Sequence, residues 1–218
     1  VYKRQGAIKP VATKHSELGE CMTPEYGVPG GRAQDFRGGR VLWSGKTGAH
    51  VVAGAIGGAY VAAGGPGGYL GFPISDELGT PDRKGRLNKF ERGYIYWTQG
   101  TGAHAVSGAI LADWGKAGYE RGPMGYPTGD EVDTPDNKGR VQGFSLGAYY
   151  FSAATGAHSV QGRIFDKYGK TGYEGGYLGF PTSNEIGAAR GGRFNRFSGG
   201  NIYCCLLYTS DAADEEDS

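Results

Sequence analysis

Leu70-Gly71-Phe72-Pro73 returns as Met124-Gly125-Tyr126-Pro127 and again as Leu178-Gly179-Phe180-Pro181, 54 residues apart each time. Glu77, Glu131 and Glu185 keep that spacing, and so does Thr-Gly-Ala-His, which ends at His50, His104 and His158. Self-similarity at a fixed period of this size marks an array whose units stack on one another. With Gly-x-Ile as the start, the units run over 6–53, 54–107, 108–161 and 162–203. The first is shorter and degenerate, with Leu18-Gly19-Glu20-Cys21 in place of the tetrad. The fourth stops before its Gly-Ala-His. No linker or shift of composition separates the units, so 6–203 reads as one repeat domain.

The third unit shows the local pattern. Ile110 and Trp114 lie four apart, as on one face of a short helix, and the glycines at 115 and 118 end it. Gly-Pro-Met-Gly-Tyr-Pro is a turn-rich hinge, and Pro127 forces an extended approach from Tyr126. After Glu131 comes a polar loop, from Asp133 to Gly139. Arg140–Phe144 and Ala148–Ser152 read as the two strands of a hairpin, and 156–160 as a third extended piece. The fold class is therefore mainly β with short helices. No unit carries enough apolar surface to fold alone, so neighbours must bury each other's aromatics.

Glycine (43 residues) and proline (10) make up about a quarter of the 218 residues, at the edge of low-complexity composition. The 12% aromatic content and the fixed period argue for a folded chain. A formal charge of +1 gives no reason to expect a nucleic-acid or membrane-surface partner. No apolar run approaches the ~18 residues of a membrane-spanning helix.

Both ends read as sequencing scars. Val1-Tyr2-Lys3-Arg4-Gln5 can be encoded by GTGTATAAGAGACAG, and Cys205 to Ser210 by TGTCTCTTATACACATCT, which nearly contains its reverse complement. Residues 1–5 and the tail 204–218 are therefore expected to be adapter-derived and the protein to be a piece of a longer one. Cys204 follows Ile202-Tyr203 where the second unit has Ile95-Tyr96-Trp97, so a tryptophan is expected there. Only Cys21 is then natural, which supports neither a disulfide framework nor a metal cluster.

The Leu-Gly-Phe-Pro tetrad, the downstream Glu, the Gly-x-Ile-Tyr-Trp strand and the Gly-Ala-His element, recurring in order, resemble the LGFP repeat of cell-envelope proteins in corynebacteria, mycobacteria and their relatives. The resemblance covers residues 6 to about 203. It implies a circular, propeller-like array of about five repeats, so this chain is expected to form an incomplete ring. It also implies an extracellular, non-catalytic module that anchors an attached envelope enzyme to arabinogalactan–peptidoglycan, with no cofactor. An incomplete ring would leave edges unpaired, which predicts aggregation or swapping of the isolated fragment.

Polysaccharide binding needs flat aromatic faces and polar groups for hydroxyls. Candidate platforms are Trp43, Tyr96, Trp97, Tyr150 and Phe151 in the hairpins, and Tyr69 and Tyr177 before the tetrad. Candidate hydroxyl partners are Asp76 with Glu77, Asp130 with Glu131, and Asn184 with Glu185. Repeated weak sites on one polymer gain by avidity. Other roles compete. Gly71-Phe72-Pro73, Gly125-Tyr126-Pro127 and Gly179-Phe180-Pro181 read as structural, with Phe72, Tyr126 and Phe180 in the core. Of each aromatic pair in the hairpins, one ring must face each side of the strand. The glutamates are open between ligand contact and hydrogen bonding to turn amides. His50, His104 and His158 read as inter-repeat hydrogen-bonding residues. His15 stands outside the pattern, and the sequence has no H-x-x-x-H or C-x-x-C spacing, so no metal site is expected.

Paired carboxylates also invite a glycosidase reading. Neighbours on an extended chain point to opposite faces, however, and a pair repeated in every full unit suits multivalent binding better than one asymmetric catalytic constellation. There is no G-x-S-x-G element and no phosphate-binding loop. The alternatives left open are a wall hydrolase or acyltransferase whose catalytic domain is missing, and a purely structural spacer.

Overall fold

The computed structural model describes residues 6–204, and the readings made for residues 1–5 and 205–218 lie outside the described residues. Each unit is a helix followed by an antiparallel meander. Unit one has α1 (Ile8–Lys14) and strands β1 (Tyr26–Val28), β2 (Gly31–Phe36), β3 (Gly39–Ser44) and β4 (Gly48–Ala53). Unit two has α2 (Gly54–Ala62), β5 (Leu78–Gly79), β6 (Gly85–Phe90), β7 (Gly93–Thr98) and β8 (Gly102–Ser107). Unit three has α3 (Gly108–Lys116), β9 (Val132–Asp133), β10 (Gly139–Phe144), β11 (Gly147–Ser152) and β12 (Gly156–Gln161). Unit four has α4 (Gly162–Lys170), β13 (Ile186–Gly187), β14 (Arg193–Phe197) and β15 (Gly200–Cys204). Every sheet is ordered as its strands follow in the chain, three sheets having four strands and the last having three.

The helix of unit three runs through Gly115 and stops at Gly118, whose φ of +98° is the left-handed conformation that a glycine allows at a helix end. The expected polar loop from Asp133 is shorter than read. Val132 and Asp133 pair with Val141 and Arg140, because a turn that Thr134 closes onto Gly139 delivers them to the edge of the hairpin. In each tetrad the proline forms a bridge to the last residue of the first hairpin strand, as in Pro73 with Phe90. Cys21 makes the same bridge to Phe36 in the degenerate unit.

The core lies between units. Ile56 and Tyr60 of α2 pack on Leu42 and Val52 from the first sheet and on Ile95 and Phe90 from the second, with Leu70 and Phe72 of the tetrad. The next core joins Tyr96 and Val106 to Ile110, Trp114, Met124, Tyr126 and Tyr149. The third joins Tyr150 and Val160 to Ile164, Tyr168, Leu178 and Phe180. The tetrad rings Phe72, Tyr126 and Phe180 are at most 8% exposed. Each packs against a strand-opening glycine of the unit before it: Phe72 on Gly31, Tyr126 on Gly85 and Phe180 on Gly139. The hairpin pairs divide between the two faces of their strands: Tyr96 and Tyr150 are buried between units, while Trp97 and Phe151 are half-buried on the other face.

Candidate functional site

The paired acids part company. Asp76 turns toward the preceding unit, where its Oδ1 accepts the backbone N–H of Val51 at 2.9 Å. Asp130 does the same for Ala105 at 3.1 Å, and Asn184 for Ser159 at 2.8 Å. A buried amide completes each clamp from the other side. Asn88 Nδ2 donates to the carbonyl of Val51 at 3.0 Å, Gln142 Nε2 to Ala105 at 2.7 Å and Asn195 Nδ2 to Ser159 at 2.8 Å. The second donor hydrogen of each amide reaches the chain just after its own tetrad, at Ser75, Gly129 and Ser183. The last strand of a sheet thus has its free backbone groups met by side chains of the next unit, a way of covering an edge.

The histidines stand beside these clamps. His50, His104 and His158 place Nε2 on the carbonyls of Thr47, Thr101 and Thr155 at 3.0, 2.8 and 2.9 Å. Nδ1 of His50 and of His104 lies 3.4 Å from Asp76 and Asp130 of the next unit. His15, from unit one, reaches Asp76 Oδ2 at 3.3 Å. Burial raises the Asp76 carboxyl, but the Val51 N–H, His15 and His50 outweigh it and hold it below the ordinary aspartate value. Among the described residues no three His, Cys, Asp or Glu side chains stand close enough to share a metal ion.

The glutamates face the other way, each onto an arginine. Arg140 Nε lies 3.0 Å from Glu131 Oε1, Arg86 Nε 3.4 Å from Glu77 and Arg193 Nη1 3.7 Å from Glu185; Arg32 pairs with Glu25 in the first unit. Each arginine is directly opposite an aromatic on the next strand: Arg32 with Trp43, Arg86 with Trp97 and Arg140 with Phe151. Arg193 is opposite Cys204, the place where a tryptophan is expected. The ring and the ion pair line a groove whose floor is the start of the unit's helix. In unit two it holds Glu77, Arg86, Trp97, Ala55 and Ile56 in about 310 Å³. In unit three Glu131, Arg140 and Phe151 are joined by Tyr69 and Arg92 from the preceding unit, and the groove widens to about 550 Å³. Burial pushes the Glu131 carboxyl above the ordinary glutamate value, against the pull of Arg140.

Of the residues read from the sequence, the structure brings Glu77 to Trp97 and Glu131 to Phe151 and Tyr69. Trp43, Trp97 and Phe151 are half-buried. Tyr96 and Tyr150 are core residues, 4% and 3% exposed. Tyr69 and Tyr177 are the most open, at 53% and 76%. Sequence reasoning missed the arginines and the buried amides. Both were legible as Gly-Arg-x-Gln/Asn-x-Phe, which begins at Gly31, Gly85, Gly139 and Gly192.

Among described residues no helix is long and apolar enough to cross a membrane. The family model of the LGFP repeat matches the chain four times, over residues 18–68, 70–122, 124–176 and 178–205. Its frames open at the tetrad, where those used above open at the helix. No curated protein matches the chain.

Proposed function

Because the chain belongs to the LGFP repeat family, we propose that it is a non-catalytic module that binds cell-wall polysaccharide and anchors an attached envelope enzyme outside the cell. The observation that carries this reading is the groove that units two and three share, lined by Trp97 with the Glu77–Arg86 pair and by Phe151 with the Glu131–Arg140 pair. An aromatic ring offers the flat apolar face that the C–H side of a sugar needs, and the adjoining Glu–Arg pair offers acceptor and donor for hydroxyls. No unit need bind tightly, because units along one polymer add effective concentration. On this reading the arabinogalactan–peptidoglycan chain runs past Trp97 and then past Tyr69 and Phe151, and Tyr177 is its next platform. The propeller-like ring belongs to the same proposal: similar interfaces between successive units turn each one by a similar amount, and a ring results if that rotation closes rather than climbing into an open helix.

The burial of Tyr96 and Tyr150 between units favours a second reading, a spacer whose aromatics serve only packing. A pull-down on purified arabinogalactan–peptidoglycan, with cellulose as control, separates the two. Selective retention that falls in Trp97→Ala and in Arg86→Ala supports the binding reading. A folded protein that passes through unretained supports the spacer.

A further inference from the structure

A second concavity, of about 470 Å³, lies where α2 packs on the sheet of unit one. Arg40, Ala53, Gly57, Gly58 and Val61 are among its walls, and it shares no lining residue with the groove of unit two. The later junctions show what fills this place in the repeat. Position 40 recurs as Tyr94 and Ala148, and position 57 as Leu111 and Phe165. Between units two and three the strand supplies the ring, Tyr94, with Leu111 on the helix. Between units three and four the helix supplies it, Phe165, with Ala148 on the strand. The turn after each of these helices adds another, Tyr119 at 6.2 Å from Tyr94 and Tyr173 at 5.6 Å from Phe165. The first junction has Arg40, Gly57 and Gly65 at the three positions, and so has a ring at none of them.

Crowding does not demand the gap. A Cβ on Gly57 would meet Val52 at 3.6 Å, an ordinary contact, and a glycine inside a helix is less stable there than alanine. One turn on, Val61 lies on the same face of α2 and is 57% exposed. In α3 and α4 that position is Gly115 or Gly169, against which Tyr119 and Tyr173 lie. On the facing strand Arg40 Nε pairs with Asp35 Oδ1, and Asp35 Oδ2 accepts the Tyr26 hydroxyl at 3.0 Å. The guanidinium is thereby fixed as a flat wall, a surface on which an aromatic ring stacks.

We propose that this pocket receives the phenylalanine or tyrosine side chain of a partner polypeptide, which lies over Gly57 between Arg40 and Val61 and supplies the ring that the first junction lacks. The Asp35–Arg40 pair leaves the wall without net charge, which suits a neutral ring. Both Asp35 oxygens are already engaged, so the hydroxyls of a sugar find no free carboxylate here, unlike in the groove. At the later junctions the ring arrives on a polypeptide backbone. The outer side of the pocket, where Gly58 and Val61 are exposed, leaves a backbone room to pass. A free aromatic molecule would be better held in a closed cavity.

The test is saturation-transfer NMR on the full chain with the N-acetyl amides of phenylalanine, tyrosine and leucine and with benzyl alcohol, each alone at millimolar concentration. At least one of the two aromatic amides is expected to give ring-proton signals stronger than the signal from the leucine amide. Gly57→Phe and Gly57→Leu, which copy α4 and α3, fill the pocket from within and are expected to abolish those signals. Gly57→Ala, whose methyl reaches only Val52, is expected to keep them. All three variants are expected to melt above the parent, since each removes a glycine from a helix interior. Silence from both aromatic amides, signals that survive both filling variants, loss in Gly57→Ala, a leucine amide signal as strong as the aromatic ones, or a response to benzyl alcohol alone overturns the proposal.

Discussion

Asp76 and Val51 belong to different units, and the Asp76 carboxylate accepts the Val51 backbone N–H at 2.9 Å while Asn88 donates to the Val51 carbonyl at 3.0 Å. One residue of an edge strand is thus gripped at both of its backbone groups by the unit that follows. The grip recurs at Ala105 and Ser159.

Removing the amide should therefore destabilise the fold well beyond what a polar-to-alanine change on a strand surface does. Asn88→Ala leaves the Val51 and Ser75 carbonyls without that donor, and a buried group left unpaired costs about 1–3 kcal/mol. Urea unfolding should show a lower midpoint with an unchanged slope. A midpoint equal to that of the parent would mean that water replaces the amide without loss.

The same junction should be acid-sensitive. The Asp76 carboxyl titrates below its ordinary value of 3.8 in the folded chain, so its contribution is fully present above the unfolded value and is lost as pH falls through the folded one. Unit four uses Asn184 for the same bond. Asp76→Asn should keep the clamp and flatten the fall in melting temperature below about pH 4. An acid limb as steep in the variant as in the parent would assign it to other carboxylates.

Gly85 has no room for a side chain. A Cβ there would stand 2.7 Å from the Trp97 carbonyl oxygen and 2.9 Å from the Tyr126 ring. Gly85→Ala should force the tetrad of unit three away from the sheet of unit two and cost about 1–3 kcal/mol. Thermal melting with near-ultraviolet circular dichroism reads both the loss and the altered tyrosine packing; an unchanged melt would contradict the contact.

Trp114 is the odd member of its set. Tyr60 and Tyr168 donate their hydroxyls to the tetrad carbonyls of Gly71 and Gly179 at 2.9 and 2.8 Å, whereas the buried Trp114 Nε1 has no partner. Trp114→Tyr should restore the bond to Gly125 and be more stable than Trp114→Phe by about 1 kcal/mol. Equal stability of the two variants would show that the hydroxyl does not reach.

The period, the helix pair Ile110 and Trp114, the hairpins and the burial of Phe72, Tyr126 and Phe180 were all readable, because each follows from local spacing or from turn chemistry. The divergence of Asp76 from Glu77 was readable too, from strand alternation. Their partners were not. Val51 lies in another unit, and no local rule pairs residues across 25 positions. Asn88, Gln142, Arg86 and Arg140 kept the 54-residue period in plain view. They escaped notice because polar residues in an alternating strand suggest a solvent face. These sheets are covered on both sides, and Asn88 and Gln142 are 0% exposed. Strand alternation predicted one core ring in each aromatic pair without saying which; the structure makes it Tyr96 and Tyr150, with Trp97 and Phe151 half-buried.

The clamp on Val51, Ala105 and Ser159 runs one way, from each unit back onto the one before it. An amide proton at these three positions is therefore released to solvent by the opening of its successor, even while its own sheet stays intact. Hydrogen exchange read at three backbone sites would measure the opening of units two, three and four separately, each reporter lying in the unit that comes before the one it reports on.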